Sequence, residues 1–266
     1  ELTITFDEVD PSKVTEKDII GGFDASTKKY SGLELIDKVF PKYGIVCDLI
    51  LAPGWSHKSP VAAIMKSKAE AINTVFTGAK ALIDVDTTEV TYYSDATEWK
   101  KEQNMNDKAE ILCWPMFGLG DYIFHASVHA AGLMAATDSD NGGCPAESPS
   151  NKTLQIDRAC LADGTTVLLD LNQANYLNSN GIVTALNFIG GYVLWGNETA
   201  CYPADTDVKN YFISVSRMFG WVANSLVLSY WNKIDKKMTR RLIDSIVDSV
   251  NIWLNGLVNE EKLLGG

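Results

Sequence analysis

The feature that most constrains the fold is an alternation of short apolar runs with helical stretches. The apolar run from Ile45 to Leu51 precedes a predicted helix that begins at Ser59-Pro60 and ends near Thr77. A second apolar run, Ala79 to Val85, follows closely. Because strand, loop, helix and strand in this order form a crossover between parallel strands, the pattern predicts a parallel sheet.

The same alternation continues along the chain. It predicts a helix from Asp95 to Gln103, a strand from Glu110 to Pro115 and a helix from Ala126 to Thr137. We therefore predict an α/β fold with a central, mostly parallel sheet that is flanked by helices.

The last third of the chain predicts a smaller C-terminal subdomain made of a hairpin and helices. Gly190-Gly191 separates two apolar runs, which is typical of a hairpin turn. Thr206 or Asp207 can cap one long helix, and Thr239 can cap another. One face of the last helix carries the apolar residues Leu242, Ile246, Val250, Leu254 and Leu257.

These patterns divide the chain into three parts. Residues 1–30 are predicted to be an entering strand, with Leu2, Ile4 and Phe6 alternating, and a polar connector. Residues 31–200 are predicted to be the α/β core domain, and 201–266 the helical part of the C-terminal subdomain. Because the sequence starts without Met and ends in Leu-Leu-Gly-Gly, we expect a trimmed part of a longer protein.

Charge and cysteine content argue against several classes of function. The formal net charge is -11, which opposes a nucleic-acid partner because affinity for phosphates comes from clustered Lys and Arg. The five cysteines are scattered without a Cys-x-x-Cys pair, so we predict reduced thiols rather than a disulfide framework or a zinc site. No run approaches the ~18 apolar residues of a membrane span, so we predict no membrane insertion.

Two acidic residues give the strongest indication of an enzyme. Asp84 and Asp86 lie at the carboxyl end of a predicted parallel strand, where open α/β sheets bind ligands and where alternate residues can hold a divalent cation. Acids at such positions also begin turns and cap the next helix, and this structural role is favoured. The alternative function is a metal-dependent α/β enzyme that uses both acids, for example on a sugar or phosphate ester.

Three other motifs fit ordinary structural roles. His125-x-x-x-His129 would place two imidazoles on one helix face, but the sequence implies no third metal ligand. Ser56-His57 lacks a nucleophile elbow, and Gly118-x-Gly120 lacks the third glycine of a dinucleotide-binding loop, which favours a turn. We therefore assign no catalytic, cofactor-binding or metal-binding residues and predict no cofactor.

Five short segments, in order, resemble those of contractile phage tail sheath proteins of the phage and prophage type. Two are the apolar strand that ends in Ala52-Pro53-Gly54 and the strand Ala79 to Asp86, which ends in acidic residues. The others are Ser148 to Lys152, Asn180 to Thr184 and Leu194 to Asn197. After the last segment, Glu198 departs from the Arg-Thr continuation of many relatives, which leaves any salt link there in doubt. Five segments in order over about two hundred residues are specific where each alone is weak.

The resemblance implies a structural subunit and no enzyme. Such subunits stack as rings around an inner tube and contract by rearranging largely as rigid bodies, which drives the tube through the host envelope. The implied partners are neighbouring sheath subunits, the inner tail tube protein, and the baseplate and tail terminator proteins. The implied location is the virion tail sheath, assembled in the host bacterial cytoplasm. Terminal arms of the family add strands to neighbours, so a fragment without them is expected to be monomeric or weakly associated.

Overall fold

The computed structural model describes residues 10–265. In this range the strands are β1 (Gly22–Asp24), β2 (Lys29–Ser31), β3 (Leu49–Leu51), β4 (Lys80–Asp84), β5 (Glu110–Cys113), β6 (Met116–Leu119), β7 (Tyr122–Phe124), β8 (Arg158–Cys160), β9 (Ile182–Asn187) and β10 (Tyr192–Trp195). The α-helices are α1 (Glu16–Ile20), α2 (Val39–Tyr43), α3 (Ser59–Glu70), α4 (Asp95–Glu102), α5 (Ala126–Asp140), α6 (Leu171–Asn178), α7 (Val208–Tyr211), α8 (Ile213–Tyr230) and α9 (Arg240–Asn259). Short 3₁₀-helices cover Pro11–Lys13, Gly32–Lys38 and Trp231–Lys233. The strand predicted over Leu2, Ile4 and Phe6 lies outside the described residues.

A five-stranded sheet forms the centre of the fold. Its strand order is β10-β9-β5-β4-β3, with β3, β4, β5 and β9 parallel and β10 antiparallel at one edge. This topology confirms the predicted α/β class with a mostly parallel sheet flanked by helices.

Helices cover both faces of this sheet, which explains why its strands carry buried apolar residues on both faces. Ala81 and Ile83 of β4 belong to one buried apolar cluster, which residues of α3, α4 and α6 complete. Leu82, between them, belongs to a second cluster on the other face, together with Met134 of α5. Because successive strand residues point to opposite faces, an unbroken apolar strand is buried only when both faces are covered.

A three-stranded antiparallel sheet, which the sequence did not predict, adjoins the central sheet. Its order is β7-β6-β8. β6 begins at Met116, shortly after β5 ends at Cys113, so this sheet leaves the central sheet at its carboxyl edge. Gly120 joins β6 to β7 with a φ of +58°, which confirms the turn predicted at Gly118-x-Gly120.

Three predicted elements differ from the structure. α3 ends at Glu70, earlier than predicted, because Asn73 and Thr74 in the following turn take left-handed backbone angles with φ of 53° and 59°. The β9-β10 hairpin lies in the central sheet rather than in a separate C-terminal subdomain, because the buried strand β9 pairs with β5. The single helix predicted after Asp207 is divided at Phe212, whose extended backbone separates α7 from α8.

Close contacts hold the C-terminal helices on the body. α8 approaches the loop before β4 so closely that a Cβ on Gly220 would lie 2.7 Å from the Cα of Gly78. α9 packs on α8, where the rings of Trp221 and Trp253 have centroids 5.8 Å apart. The predicted apolar face of α9 is confirmed, since its five residues are half-buried or buried.

Elements at both ends bear on the predicted division of the chain. α1 and the β1-β2 hairpin occupy the predicted connector. The boundaries at residues 30 and 200 stay predictions. Within residues 10–265, no helix is both long enough and apolar enough to cross a membrane.

The contact of α8 with the body gives a first testable prediction. Gly220→Ala is expected to destabilise the fold, because its methyl group overlaps Gly78, although alanine in a helix ordinarily gains about 1 kcal/mol over glycine. Gly256→Ala, in α9, is the matched control, since nothing lies within 4 Å of the added Cβ. Urea unfolding of both variants measures the difference. Equal stabilisation by the two substitutions would contradict the close approach of α8.

Candidate functional site

The carboxylate of Asp84 is buried at the carboxyl end of β4, where the sequence placed the candidate acid. Its Oδ1 accepts a hydrogen bond from the backbone N–H of Ser127 at 2.8 Å, and its Oδ2 accepts one from the Ser127 hydroxyl at 2.6 Å. The Ser56 hydroxyl lies 3.3 Å from Oδ2 and accepts a hydrogen bond from the Asp84 backbone N–H. Both carboxylate oxygens therefore have donors within the protein.

These hydrogen bonds place a negative charge at the start of α5. Ser127 lies in the first turn of α5, where backbone N–H groups have no partner within the helix. A carboxylate at this position satisfies one of these groups and interacts favourably with the helix dipole. Asp84 thus connects β4, α5 and the loop that carries Ser56.

Asp86 has different partners. Its carboxylate accepts hydrogen bonds from the Thr88 backbone N–H at 2.8 Å and from the Thr88 hydroxyl at 2.7 Å, as in a side-chain-stabilised turn. His57 Nε2 lies 3.8 Å from the same carboxylate, so Ser56 and His57, although adjacent, face different acids. Burial raises the pKa of Asp86, but the Thr88 hydrogen bonds and the charge of His57 outweigh it, and the pKa lies below its ordinary value.

The two histidines of the His125-x-x-x-His129 motif also have separate surroundings. His125 precedes α5, and its Nδ1 lies 3.6 Å from the Asp84 carboxylate. His129 packs against the rings of Phe117 and Phe124, and burial lowers the pKa of its imidazole. Among residues 10–265, no group of three or more His, Cys, Asp and Glu side chains is arranged to hold a metal ion.

An ion cluster around a buried guanidinium, which sequence reasoning missed, connects α8 to the body. The guanidinium of Arg217, only 2% exposed, pairs with Asp48 just before β3 and with Asp138 in α5. Its Nε lies 3.0 Å from Asp48, and its Nη1 lies 3.2 Å from Asp138. A buried charge is tolerated only when it is paired, so the two carboxylates fix where Arg217 can sit. The one available signal was that Arg217 is the only charged residue in α8.

Lys80, at the start of β4, lies beside this cluster. Its Nζ donates hydrogen bonds to the Lys108 carbonyl oxygen at 2.8 Å and to the Ser216 hydroxyl at 2.6 Å. Burial lowers the pKa of Lys80 to about 8, although Asp48 acts in the opposite direction. Two buried cations therefore lie at the amino edge of the sheet: Lys80, which contacts α8, and Arg217, which is part of α8.

No family model matches the chain. The tail sheath protein of Burkholderia phage BcepMu is 30% identical over 273 residues, which cover 98% of this chain and 55% of that protein. A chain of the anti-feeding prophage baseplate matches with a TM-score of 0.64 at 16% identity, over 90% of this chain and 59% of that one. A chain of the contracted PVC sheath complex, an extracellular contractile injection system, matches with a TM-score of 0.64 at 17% identity, over 86% and 60%.

The predicted resemblance to contractile phage tail sheath proteins is confirmed. The two structures show that the fold is shared with proteins of contractile assemblies. The chain spans about half the length of the tail sheath relative, 55%.

Two of the segments that resemble tail sheath proteins contact each other. They are the segment from Ser148 to Lys152 and the segment from Leu194 to Asn197. The backbone N–H of Asn151 donates to the carbonyl oxygen of Leu194. The N–H of Gly196 donates to the Ser150 hydroxyl at 3.0 Å. These bonds line the outer side of β10, so the first segment covers this edge of the central sheet. These two segments therefore have a structural role within the chain.

The hydrogen bonds of Asp84 give a second prediction. Asp84→Ala is expected to cost roughly 2–3 kcal/mol of unfolding free energy, because it leaves buried donors of Ser56 and Ser127 without an acceptor. Asp86→Ala, the control at the neighbouring acid, is expected to cost about 1 kcal/mol or less, since it removes only a turn contact. Thermal unfolding with and without Mg²⁺ or Mn²⁺ should give the same ranking. Metal-dependent stabilisation that Asp84→Ala removes would contradict the structural role.

Lys80 gives a third prediction, on pH. Its folded pKa of about 8 lies below its ordinary value of 10.5, so the unfolded chain binds more protons between these values. Lys80 therefore makes stability rise with pH in this window. Relative to Lys80→Met, the wild-type protein is expected to gain unfolding free energy from about pH 8 to pH 10.5 and to show no relative change below it. Lys209→Met, at an exposed lysine, is the control: it retains Lys80, so its stability should follow that of the wild type over the same window. A parallel course for all three proteins would disprove the shift.

Proposed function

We propose that this chain is the body of a structural subunit of a contractile tail sheath. In this role it polymerises as stacked rings around an inner tube and contracts by subunit rearrangement, which drives the tube through the host envelope. The observation that carries the proposal is the 30% identity to a phage tail sheath protein over 98% of the chain.

The packing of the chain suits a part that moves as a rigid body. One central sheet is covered on both faces, and the Arg217 cluster joins α8 to β3 and α5. Packed cores have discrete arrangements and resist continuous deformation, so a large movement of such a subunit takes place at its surfaces. Contraction is then an exchange between two packings of the same subunit.

The proposed partners follow from this role. They are neighbouring sheath subunits, the inner tail tube protein, and the baseplate and tail terminator proteins, with no nucleic acid. The proposed location is the tail of the virion, after assembly in the cytoplasm of the host bacterium. The matched region alone is proposed to be monomeric or weakly associated, because it corresponds to only 55% of the tail sheath relative.

No specific observation favours the metal-dependent enzyme. The Asp84 carboxylate is engaged by Ser56 and Ser127, and Asp86 is engaged by Thr88. Sheet-edge acids serve enzymes when their oxygens are directed at a ligand, whereas these oxygens stabilise local structure. We therefore propose that the chain has no enzymatic activity.

Electron microscopy of the full-length protein gives a fourth prediction. Negative-stain images of the full-length protein and of residues 1–266, at the same concentration, are expected to show tubes or stacked rings for the former and single particles for the latter. The expectation follows because sheath assembly needs contacts repeated between identical subunits. Dispersed particles from both proteins over a range of salt concentrations would contradict the proposed function.

A further inference from the structure

The turn between α8 and α9 is strongly basic in an acidic chain. This basic turn, residues 231–241, contains one acid and five exposed cations: Lys233, Lys236, Lys237, Arg240 and Arg241. None of the five is in an ion pair with another of residues 10–265. Because the whole chain carries a formal charge of -11, this concentration of unpaired positive charge marks a local surface with its own electrostatic preference.

The same turn exposes large apolar side chains. Trp231, Ile234 and Met238 are 57%, 55% and 66% exposed. Single exposed apolar residues are common, but a group of three among unpaired cations is typical of a surface that another molecule covers. Such an occupant must offer both apolar contact area and negative charge.

The three-stranded sheet of the chain itself has a surface that offers both apolar contact area and negative charge. This acidic ribbon, residues 116–124 and 157–168, contains Asp121, Asp157 and Asp163, with Arg158 as its only cation. Arg158 is already paired with Asp157 at 2.9 Å. The turn after β8 approaches β7, since a Cβ on Gly164 would lie 3.8 Å from the side chain of Ile123. The acids therefore surround one small sheet.

The acidic ribbon also has an exposed apolar face. Leu119 and Tyr122 lie opposite each other in the β6-β7 register, so their side chains share one face. Both are exposed, Tyr122 at 72%, and Phe124 continues the same face. In residues 10–265, β7 pairs with β6 alone, which leaves its other side as an open edge. The ribbon thus offers both the apolar contact area and the negative charge that an occupant of the basic turn must have.

The two surfaces lie on parts of the chain that extend from opposite edges of the central sheet. α8, which leads to the basic turn, contacts the amino edge, where Arg217 pairs with Asp48 and Ser216 accepts from Lys80. The acidic ribbon leaves from the carboxyl edge, after Cys113. A contact between such surfaces of two copies is heterologous, and heterologous contacts propagate into rings or helical arrays.

We propose that the basic turn of one copy of this chain docks on the acidic ribbon of a second copy. The inference rests on the proposed sheath function, for which it names one subunit interface. Attraction between these charges acts within the ~8 Å Debye length of physiological salt, so the contact weakens as salt is added. Apolar contact between Trp231 or Met238 and Tyr122 completes the interface.

Cross-linking between differently labelled copies tests the interface in the full-length protein. One preparation carries Met238→Cys and the other carries Tyr122→Cys, and a short bismaleimide links them when they are mixed. In this region Cys113, Cys144, Cys160 and Cys201 are buried and Cys47 is half-buried, and the unsubstituted protein measures the remaining background. Mass spectrometry is expected to identify links between positions 238 and 122 of different copies, with a lower yield in high salt.

Charge exchange provides the decisive comparison. Adding Lys236→Glu and Lys237→Glu to the first preparation should lower the yield by about tenfold or more, because like charges then face each other. Adding Asp121→Lys and Asp163→Lys to the second should restore it. All four positions are exposed, and of the four only Asp163 holds a turn contact, with Thr165, so the midpoint of thermal unfolding should change only slightly, which separates a lost contact from a lost fold.

Three outcomes overturn the inference: no links between positions 238 and 122 above background, links mainly between two copies of position 238, or no restoration by the exchanged charges. Electron microscopy of the same samples separates this result from the proposed function. Ordered tubes without the link overturn the interface alone, whereas the link without tubes or rings supports the interface and contradicts the sheath role.

Discussion

The pairing of buried Arg217 with Asp48 and Asp138 is the interaction on which the arrangement of the fold depends. It joins α8 to the amino end of β3 and to the last turns of α5. Burying a guanidinium is costly unless its partners are correctly placed, so the cluster specifies position more than it adds stability. Because the ion pairs of Arg217 fix the position of α8, the close approach of Gly220 to Gly78 cannot relax by a shift of the helix.

α5 shows how the two ends of the sheet are linked. The carboxylate of Asp84 lies at the amino end of α5, and the guanidinium of Arg217 lies near its carboxyl end. The helix dipole favours this arrangement, with negative charge at the amino end and positive charge at the carboxyl end. Asp84 belongs to the carboxyl edge of the sheet, and Asp48, the other partner of Arg217, precedes the amino edge. Two charges therefore hold α5 antiparallel to the strands. The acid that resembled a metal ligand is part of this structural scheme.

The sequence was sufficient for the parts of the fold that depend on local pattern. Predominantly apolar runs predicted β4, β5 and β9, since strands covered on both faces bury apolar residues on both. The three-stranded sheet was missed because β6 and β8 are short and pair across about forty residues, with no shared turn. The ion cluster was missed for the same reason, since 169 positions separate Asp48 from Arg217. Asp84 was correctly located at a sheet edge, but only the fold showed that Ser127 occupies its oxygens.

A subunit that exchanges one set of neighbour contacts for another needs a rigid interior. It also needs outer surfaces that carry both charged and exposed apolar side chains. In the proposed sheath role, the Arg217 cluster and the covered sheet make the body one rigid unit, so the free energy of rearrangement resides in contacts outside it. Those contacts must also be exchangeable, which favours small surfaces with solvated charges over extensive buried ones. The basic turn and the acidic ribbon have this character, since Lys236 and Asp121 remain hydrated in the free chain. The guanidinium of Arg217 is buried and fixed by its two partners, whereas the charges of the basic turn and the acidic ribbon are exposed and exchangeable, so the burial of a charge decides whether it can contribute to an exchangeable contact.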